Sequence, residues 1–347
     1  MAYTVIDNPS EYFNTKLYTG TGSTLANTGV GFQSDLTWIK GRSGATEHVL
    51  TDSVRGVTKE LSSNDDGAEE TVAQGLTAFG SDGFTVGTDG SYNTSSATYA
   101  SWNFKAGGTA VSNTSGSITS SVSANTTAGF GIVSYTGNAT TAQTIGHGLG
   151  VAPSMIIVKS RGSSGDWIVY HSSIGVLKRL FLNLSDAQDN ASSGIWNTTA
   201  PTSTVFSVGN DGSVNGSSNE MIAYCFAEKK GYSKFGSYVG NGNADGTFVY
   251  TGFKPAFIIW KNTSTASTQW ILLDNKRLGY NPNNNSLFPN NTDTDADGSA
   301  ISGDLLSNGF KLRTTSEHDN ENGSTFIYMA FAENPFVTST GIPGTAR

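Results

Sequence analysis

One opening occurs three times along the chain, and this constrains its fold more than any other feature. Phe13-Asn-Thr-Lys-Leu-Tyr-Thr-Gly20 is followed by Phe130-Gly-Ile-Val-Ser-Tyr-Thr-Gly137 and, two residues shorter, by Phe235-Gly-Ser-Tyr-Val-Gly240. Downstream, Thr37-Trp-Ile-Lys40, Ile156-Ile-Val-Lys159 and Ile258-Ile-Trp-Lys261 are short apolar runs closed by a lysine, the pattern of buried strands reaching a loop. His48 to Asp52, Trp167 to His171 and Trp270 to Asp274 follow, ending twelve, twelve and thirteen positions after those lysines. Each copy closes on a strand pair whose phenylalanines, Phe84 and Phe104, Phe206 and Phe226, Phe310 and Phe331, lie twenty, twenty and twenty-one apart. Intervals kept this closely indicate a repeat of roughly 100 residues.

The reading is an all-β chain of three tandem homologous antiparallel β-sandwich units, jelly-roll-like in character. They cover 11–106, 128–232 and 233–336. Residues 1–10 form an N-terminal strap, 107–127 a Gly/Ser/Thr-rich linker, and 337–347 a C-terminal tail. Turn clusters such as Gly87-Thr-Asp-Gly90 and Gly209-Asn-Asp-Gly212 stand where hairpins are needed. Propeller blades and β-helix coils are shorter than these units.

Composition narrows the chemistry. The 20 basic and 28 acidic residues give a net charge of −8 with no basic run, which argues against a nucleic-acid partner. One cysteine, Cys225, excludes a disulfide framework. The first residues carry neither a basic stretch nor an apolar one, and no run reaches the length of a membrane span, so the expectation is a soluble product made in a cytoplasm without membrane insertion.

No P-loop, dinucleotide fingerprint, His-Glu-x-x-His or Gly-x-Ser-x-Gly motif is present, so the chain reads as a non-enzyme. A glycosidase needs only two carboxylates across a groove, for which Asp52, Asp274, Glu69 and Glu70 are the nominees. The second copy has His171 where the others have Asp, which points to a polar structural position. One segment suggests a metal: Asp293, Asp295, Asp297 and Asp304 occupy positions 1, 3, 5 and 12 of a loop with Gly298 at 6, an arrangement that can wrap oxygen ligands around Ca²⁺. Against it, position 12 is not Glu and no helical pattern flanks the loop; the competing reading is an Asp/Asn/Gly turn. Trp38, Trp260 and Trp270 sit in apolar strand runs and read as core, whereas Trp196, with Asn197, stands in a polar loop and is the candidate platform for a glycan.

Tyr12 to Gly20, Val30 to Lys40, the run Asp52-Ser-Val-Arg-Gly56, the link Lys105 to Ile118 and the ending Ala330-Phe-Ala-Glu-Asn-Pro-Phe336 together resemble an uncharacterised repeat-domain family found in predicted virion proteins of marine tailed bacteriophages. The resemblance spans nearly the whole chain. It implies a virion protein assembled in the host cytoplasm, with other virion proteins as partners and no catalytic residues. Members are usually labelled tail fibre or structural protein. A tail-fibre or tail-tip receptor-binding module contacting host-surface glycans therefore stands beside a capsid decoration protein, with a polysaccharide depolymerase third. Virion geometry suggests a homotrimer in either of the first two roles.

Overall fold

The computed structural model describes residues 3–297 and 301–344. It is all-β, and every strand pairing within its sheets is antiparallel. The same main-sheet order is built from each third of the chain. In the first, Phe13–Thr19, Thr98–Phe104, Leu36–Gly41 and His48–Asp52 lie side by side. In the second they are Phe130–Thr136, Glu220–Phe226, Met155–Ser160 and Ile168–His171. In the third they are Ser233–Val239, Thr325–Pro335, Phe253–Asn262 and Ile271–Asp274. A smaller sheet covers each, formed around Gly83–Val86, Val205–Val208 and Gly309–Leu312. We call these bodies the first, second and third lobes.

The inner main-sheet strands, such as Leu36–Gly41, His48–Asp52, Met155–Ser160 and Ile168–His171, are buried on both faces, which is why they read as apolar runs rather than alternating ones. Alternate residues enter different cores. Ile39, Val49 and Tyr99 face the first lobe's own small sheet beside Phe84 and Val86, while Leu36, Trp38, Leu50 and Trp102 face inward. The inward faces of all three lobes meet in one cluster. At its centre stand the closing phenylalanines of the three repeats. Phe104 lies 5.3 Å from Phe331 and 5.9 Å from Phe226, and Phe226 lies 6.2 Å from Phe331, ring centre to ring centre. Three edge-to-face contacts thus close a triangle about a pseudo-threefold axis, the geometry that the aromatic quadrupole favours.

This shared core changes the sequence-based picture of sandwiches joined in series. The stretch read as a linker, 107–127, contributes two strands, Val111–Asn113 and Ser120–Asn125, the second fully paired with Phe130–Thr136 at the edge of the second main sheet. Its small polar residues suit an edge strand as well as a linker, and the backbone partner decided. The third opening is displaced rather than shortened: Ser233 pairs with Phe331 where Phe13 pairs with Phe104, and Phe235 supplies the aromatic two residues later on the same face.

Both chain ends fasten to the third lobe. Ile6 is buried in the central cluster, the Tyr3 hydroxyl is 2.8 Å from that of Tyr250, and the Ser339 N–H donates to Asp7 at 2.6 Å. Among the described residues no helix is long and apolar enough to cross a membrane.

Candidate functional site

The polar residues that the sequence offered as chemistry are largely spent at the seams between lobes. Asp52 Oδ1 accepts the N–H groups of Val54 and Arg55, and Asp274 Oδ1 accepts those of Lys276 and Arg277, closing the turn after each strand. The second carboxylate oxygen reaches the next lobe. Tyr224 donates to Asp52 at 2.8 Å, and Trp102 Nε1 donates to Asp274 at 3.1 Å.

His171 meets the same two demands without charge. Its Nδ1 accepts from the Ser173 N–H at 3.1 Å, which leaves the proton on Nε2, donated to the Tyr328 carbonyl of the third lobe at 3.2 Å. Burial pushes its pKa down to about 4, so the ring is neutral at pH 7.

The charge difference extends along the whole seam. Between the first and second lobes, Arg55 bonds Asp52 and Glu69, and Glu69 also holds Arg161. Between the third and first lobes, Arg277 bonds Asp274 and Asp295, and Asp295 also holds Arg42. Backbone geometry identifies the corresponding residues at the remaining seam. The N–H groups of Glu69, Asp295 and Gln188 donate to the carbonyls of Arg161, Arg42 and Thr263 respectively. Where two seams carry Asp, Arg, an acid and Arg, the third carries His171, Ile174, Gln188 and Thr263. All four charges are gone together, as they must be if none is to be left buried alone.

Asp274 has no exposed side-chain surface. Burial pushes its carboxyl up, but Arg277 and the two turn N–H groups outweigh this and hold it below the usual carboxylate range. Burial likewise raises Glu69, and Arg161 and Arg55 bring it below that range. A carboxyl held ionised and bonded to arginine is no proton donor for glycoside cleavage.

The lysines that close the repeated strands also cross the seams. Lys40 reaches the carbonyl of Thr292, Lys159 that of Asp66 and Lys261 that of Ser185. Burial brings their ammonium groups down to about 8, 8 and 7. Since an unfolded lysine titrates near 10.4, the unfolded chain binds more protons than the folded one above these values, and stability rises with pH. The gain stops near pH 10, where unfolded tyrosines ionise while burial keeps Tyr135, Tyr224 and Tyr232 protonated. The expected result is a melting temperature that climbs between about pH 8 and 9.5 at constant ionic strength, with a shallower slope in Lys261→Met; a flat or falling profile would contradict it.

The residues singled out for ligands do not form the sites expected of them. Trp196 ends the short helix Ser193–Trp196, is 2% exposed and packs edge-on against Tyr170 in the second lobe's core. It is no glycan platform. The polar loop around it folds over a side chain too large to leave in water, and Asn197 closes the helix in the left-handed conformation at φ 46°. In the calcium-like loop, Asp295 gives both oxygens to Arg277 and Arg42 at 2.8 Å, and Asp304 accepts from Arg313 at 2.6 Å. Asp293 bonds Asn291 near the surface. The Asp297 side chain lies outside the described residues. Guanidinium groups neutralise Asp295 and Asp304, and among the described residues no three His, Cys, Asp or Glu side chains are gathered to share a metal ion.

A different place holds the candidate site. After Asp274 the chain turns at Gly279 and exposes Tyr280, 69% accessible, above a groove of about 360 Å³ lined by Lys254, Asn275, Asn281, Asn283, Leu305 and Glu333. The volume falls in the range of small-ligand sites. Asn275 and Glu333 also line a small cleft of about 50 Å³ beside Asn14 and Thr15 of the first lobe. Asn281 holds the groove wall by bonding both the N–H and the carbonyl of Leu305. Lys254 and Glu333 pair at 2.6 Å. Asn283 is 2% exposed and its Nδ2 donates to the Asp274 carbonyl, yet its Oδ1 has no donor among the described residues, and the same holds for Asn275 Oδ1 and Thr15 Oγ1. A buried acceptor without a donor costs about 1–3 kcal/mol; Asn283 and Asn275 are among the residues lining the groove, and Thr15 among those lining the small cleft.

The signal for this site was in the repeat. Gly56, Gly175 and Gly279 have positive φ in the turns after Asp52, His171 and Asp274, the third one residue later than the other two, and are followed by Val57, Val176 and Tyr280. Only the third copy places an aromatic there.

A family model described as a domain of unknown function, DUF7483, matches residues 8–335. The chain belongs to this family. The match runs across all three lobes, so the DUF7483 segment of this chain contains the groove and, apart from Ile6, the shared core. No curated protein matches the chain.

Proposed function

We propose that this DUF7483 chain is a non-enzymatic structural protein of a tailed-phage particle, and that it serves at the tail fibre or tip as a receptor-binding module contacting host-surface glycans. The observation that carries the reading is the groove beneath Tyr280, a polar recess without net charge opening from a scaffold that three lobes hold through one core. The resemblance of the sequence to virion proteins supports the phage setting. The depolymerase reading loses its best nominees, because Asp52, Asp274 and Glu69 are engaged by arginines at the seams.

Fluorescently tagged protein, applied to candidate host cells and in parallel to phage capsids lacking it, tests the proposal. Saturable labelling of cells, abolished by periodate oxidation of surface sugars, is the expected result. Labelling confined to capsids would replace the receptor-binding role with capsid decoration.

A further inference from the structure

We propose that the free edge of the third main sheet pairs with the same edge of a second copy, antiparallel and about a twofold axis at Ser237, so that two chains join through one continuous sheet.

The three lobes differ at this edge. In the second, Phe130–Thr136 lies between Glu220–Phe226 and the added strand Ser120–Asn125, whereas Phe13–Thr19 and Ser233–Val239 are terminal strands of their sheets. A terminal strand presents a row of N–H and C=O groups that templates another chain unless charge, proline or a covering segment blocks it. The first edge is partly covered. Thr15 lines the cleft against Asn275 and Glu333 of the third lobe, Leu17 is half-buried, and only Thr19 is exposed. On the third edge both Ser237 and Val239 are exposed, and the strand holds no proline. Its charged residue, Lys234, is paired with Glu228 at 2.9 Å.

The backbone groups left free identify the occupant. The Tyr232 carbonyl accepts from the Ala332 N–H and the Gly240 N–H donates to Ser324, so even-numbered positions face the neighbouring strand while Phe235, Ser237 and Val239 face outward. The Phe235 N–H donates to the Glu228 carboxylate at 3.4 Å, and the Val239 carbonyl accepts from the Thr247 hydroxyl at 2.8 Å. From Phe235 onward, the Phe235 carbonyl, the Ser237 N–H and carbonyl and the Val239 N–H have no partner among the described residues. A twofold axis at Ser237 completes this set. Each Ser237 N–H meets the Ser237 carbonyl of the other copy, and each Val239 N–H meets the other copy's Phe235 carbonyl. The groups that would form the remaining flanking bonds, the Phe235 N–H and the Val239 carbonyl, are those already satisfied within each chain. An unrelated strand in the same place would leave its own flanking carbonyl without a donor, which favours a second copy.

The second lobe shows that the position accepts a strand. By register against Phe226 and Phe331, Ser134 holds the place of Ser237, and it stands opposite Ser121 of the added strand. Serine across from serine is thus already used once on this scaffold.

Sedimentation velocity of the full chain from roughly 1 to 200 µM tests the pairing, with a monomer–dimer equilibrium of roughly micromolar Kd expected. Ser237→Lys sets like charges across the axis, and Ser237→Pro removes an N–H that the single chain does not use; each should raise the Kd about tenfold or more. Thr19→Lys, on the first lobe's edge, should leave it unchanged. Because Ser237 is exposed, an unchanged melting temperature at a concentration where the parent is monomeric shows that these variants are folded. Register is read separately. Residues opposite each other in a hydrogen-bonded antiparallel pair have Cα atoms about 5.5 Å apart, within disulfide reach, so Ser237→Cys should link the copies under mild oxidation. The native Cys225 is buried and does not compete. A chain that stays monomeric throughout, one that forms trimers, a dimer unchanged by Ser237→Lys, or a Ser237→Cys variant that links no faster than Thr19→Cys would overturn the proposal.

Discussion

Replacing Asp274 with alanine is expected to destabilise the folded chain by about 3–5 kcal/mol, the cost of leaving a buried guanidinium without its carboxylate. Arg277 has no exposed side-chain surface and donates 2.6 Å and 2.8 Å bonds to Asp274 and Asp295, so it cannot turn to water when one partner goes. Trp102 loses its acceptor across the seam in the same variant. The double change Asp274→Ala with Arg277→Met is expected to recover part of that loss, because no guanidinium is then left buried without its carboxylate. A well-packed neutral pair often equals a buried ion pair in stability, while half of an ion pair does not. Urea unfolding of the three proteins measures this directly. If the double variant is no more stable than Asp274→Ala, the unpaired guanidinium is not what makes the single change costly.

Phe331→Ala is expected to cost about 3–5 kcal/mol as well, through the loss of buried ring and the cavity that remains. Its wider consequence concerns cooperativity. Phe331 lies 5.3 Å from Phe104 of the first lobe and 6.2 Å from Phe226 of the second, so its removal weakens a core to which every lobe contributes. Calorimetry should show one transition in the parent protein and one, shifted to lower temperature, in the variant. Sandwiches strung in series would instead show the third lobe melting early and the other two unmoved. That pattern would refute the shared core as the energetic unit of the fold.

The distance between those two pictures marks where the sequence stops informing. Strand positions were legible because apolar runs, turn residues and a closing lysine are local signals, and three copies at nearly constant intervals made each one corroborate the others. Burial of Trp38, Trp260 and Trp270 followed from the same runs. Trp196 was misread because a polar loop around a large aromatic looks the same whether the ring points out or in, and only the pocket formed by Tyr170 and the rest of the second core decides. For the stretch 107–127 the small polar residues suit both a linker and an extended edge segment, and only the pairing with Phe130–Thr136 decides. Acidic spacing offered Asp295 to a metal loop or a turn, because it shows which charges are near in sequence and not that Arg277 and Arg42 will be near in space. The groove under Tyr280 needed both levels: the repeat shows an aromatic replacing valine, but only the folded lobe shows Asn283 and Asn275 beside it.

By itself the sequence determined the all-β class, the recurrence of one strand pattern and the turns between strands, since these depend on backbone preference and on which residues avoid water. Tertiary structure alone decided that the inward faces share one core, that Asp52 meets Tyr224 and Asp274 meets Trp102, and that a single lobe carries the groove. The physical reason is separation along the chain. Both of those seam bonds join residues 172 positions apart, and no local periodicity encodes which of several buried polar groups will be satisfied by a partner so distant.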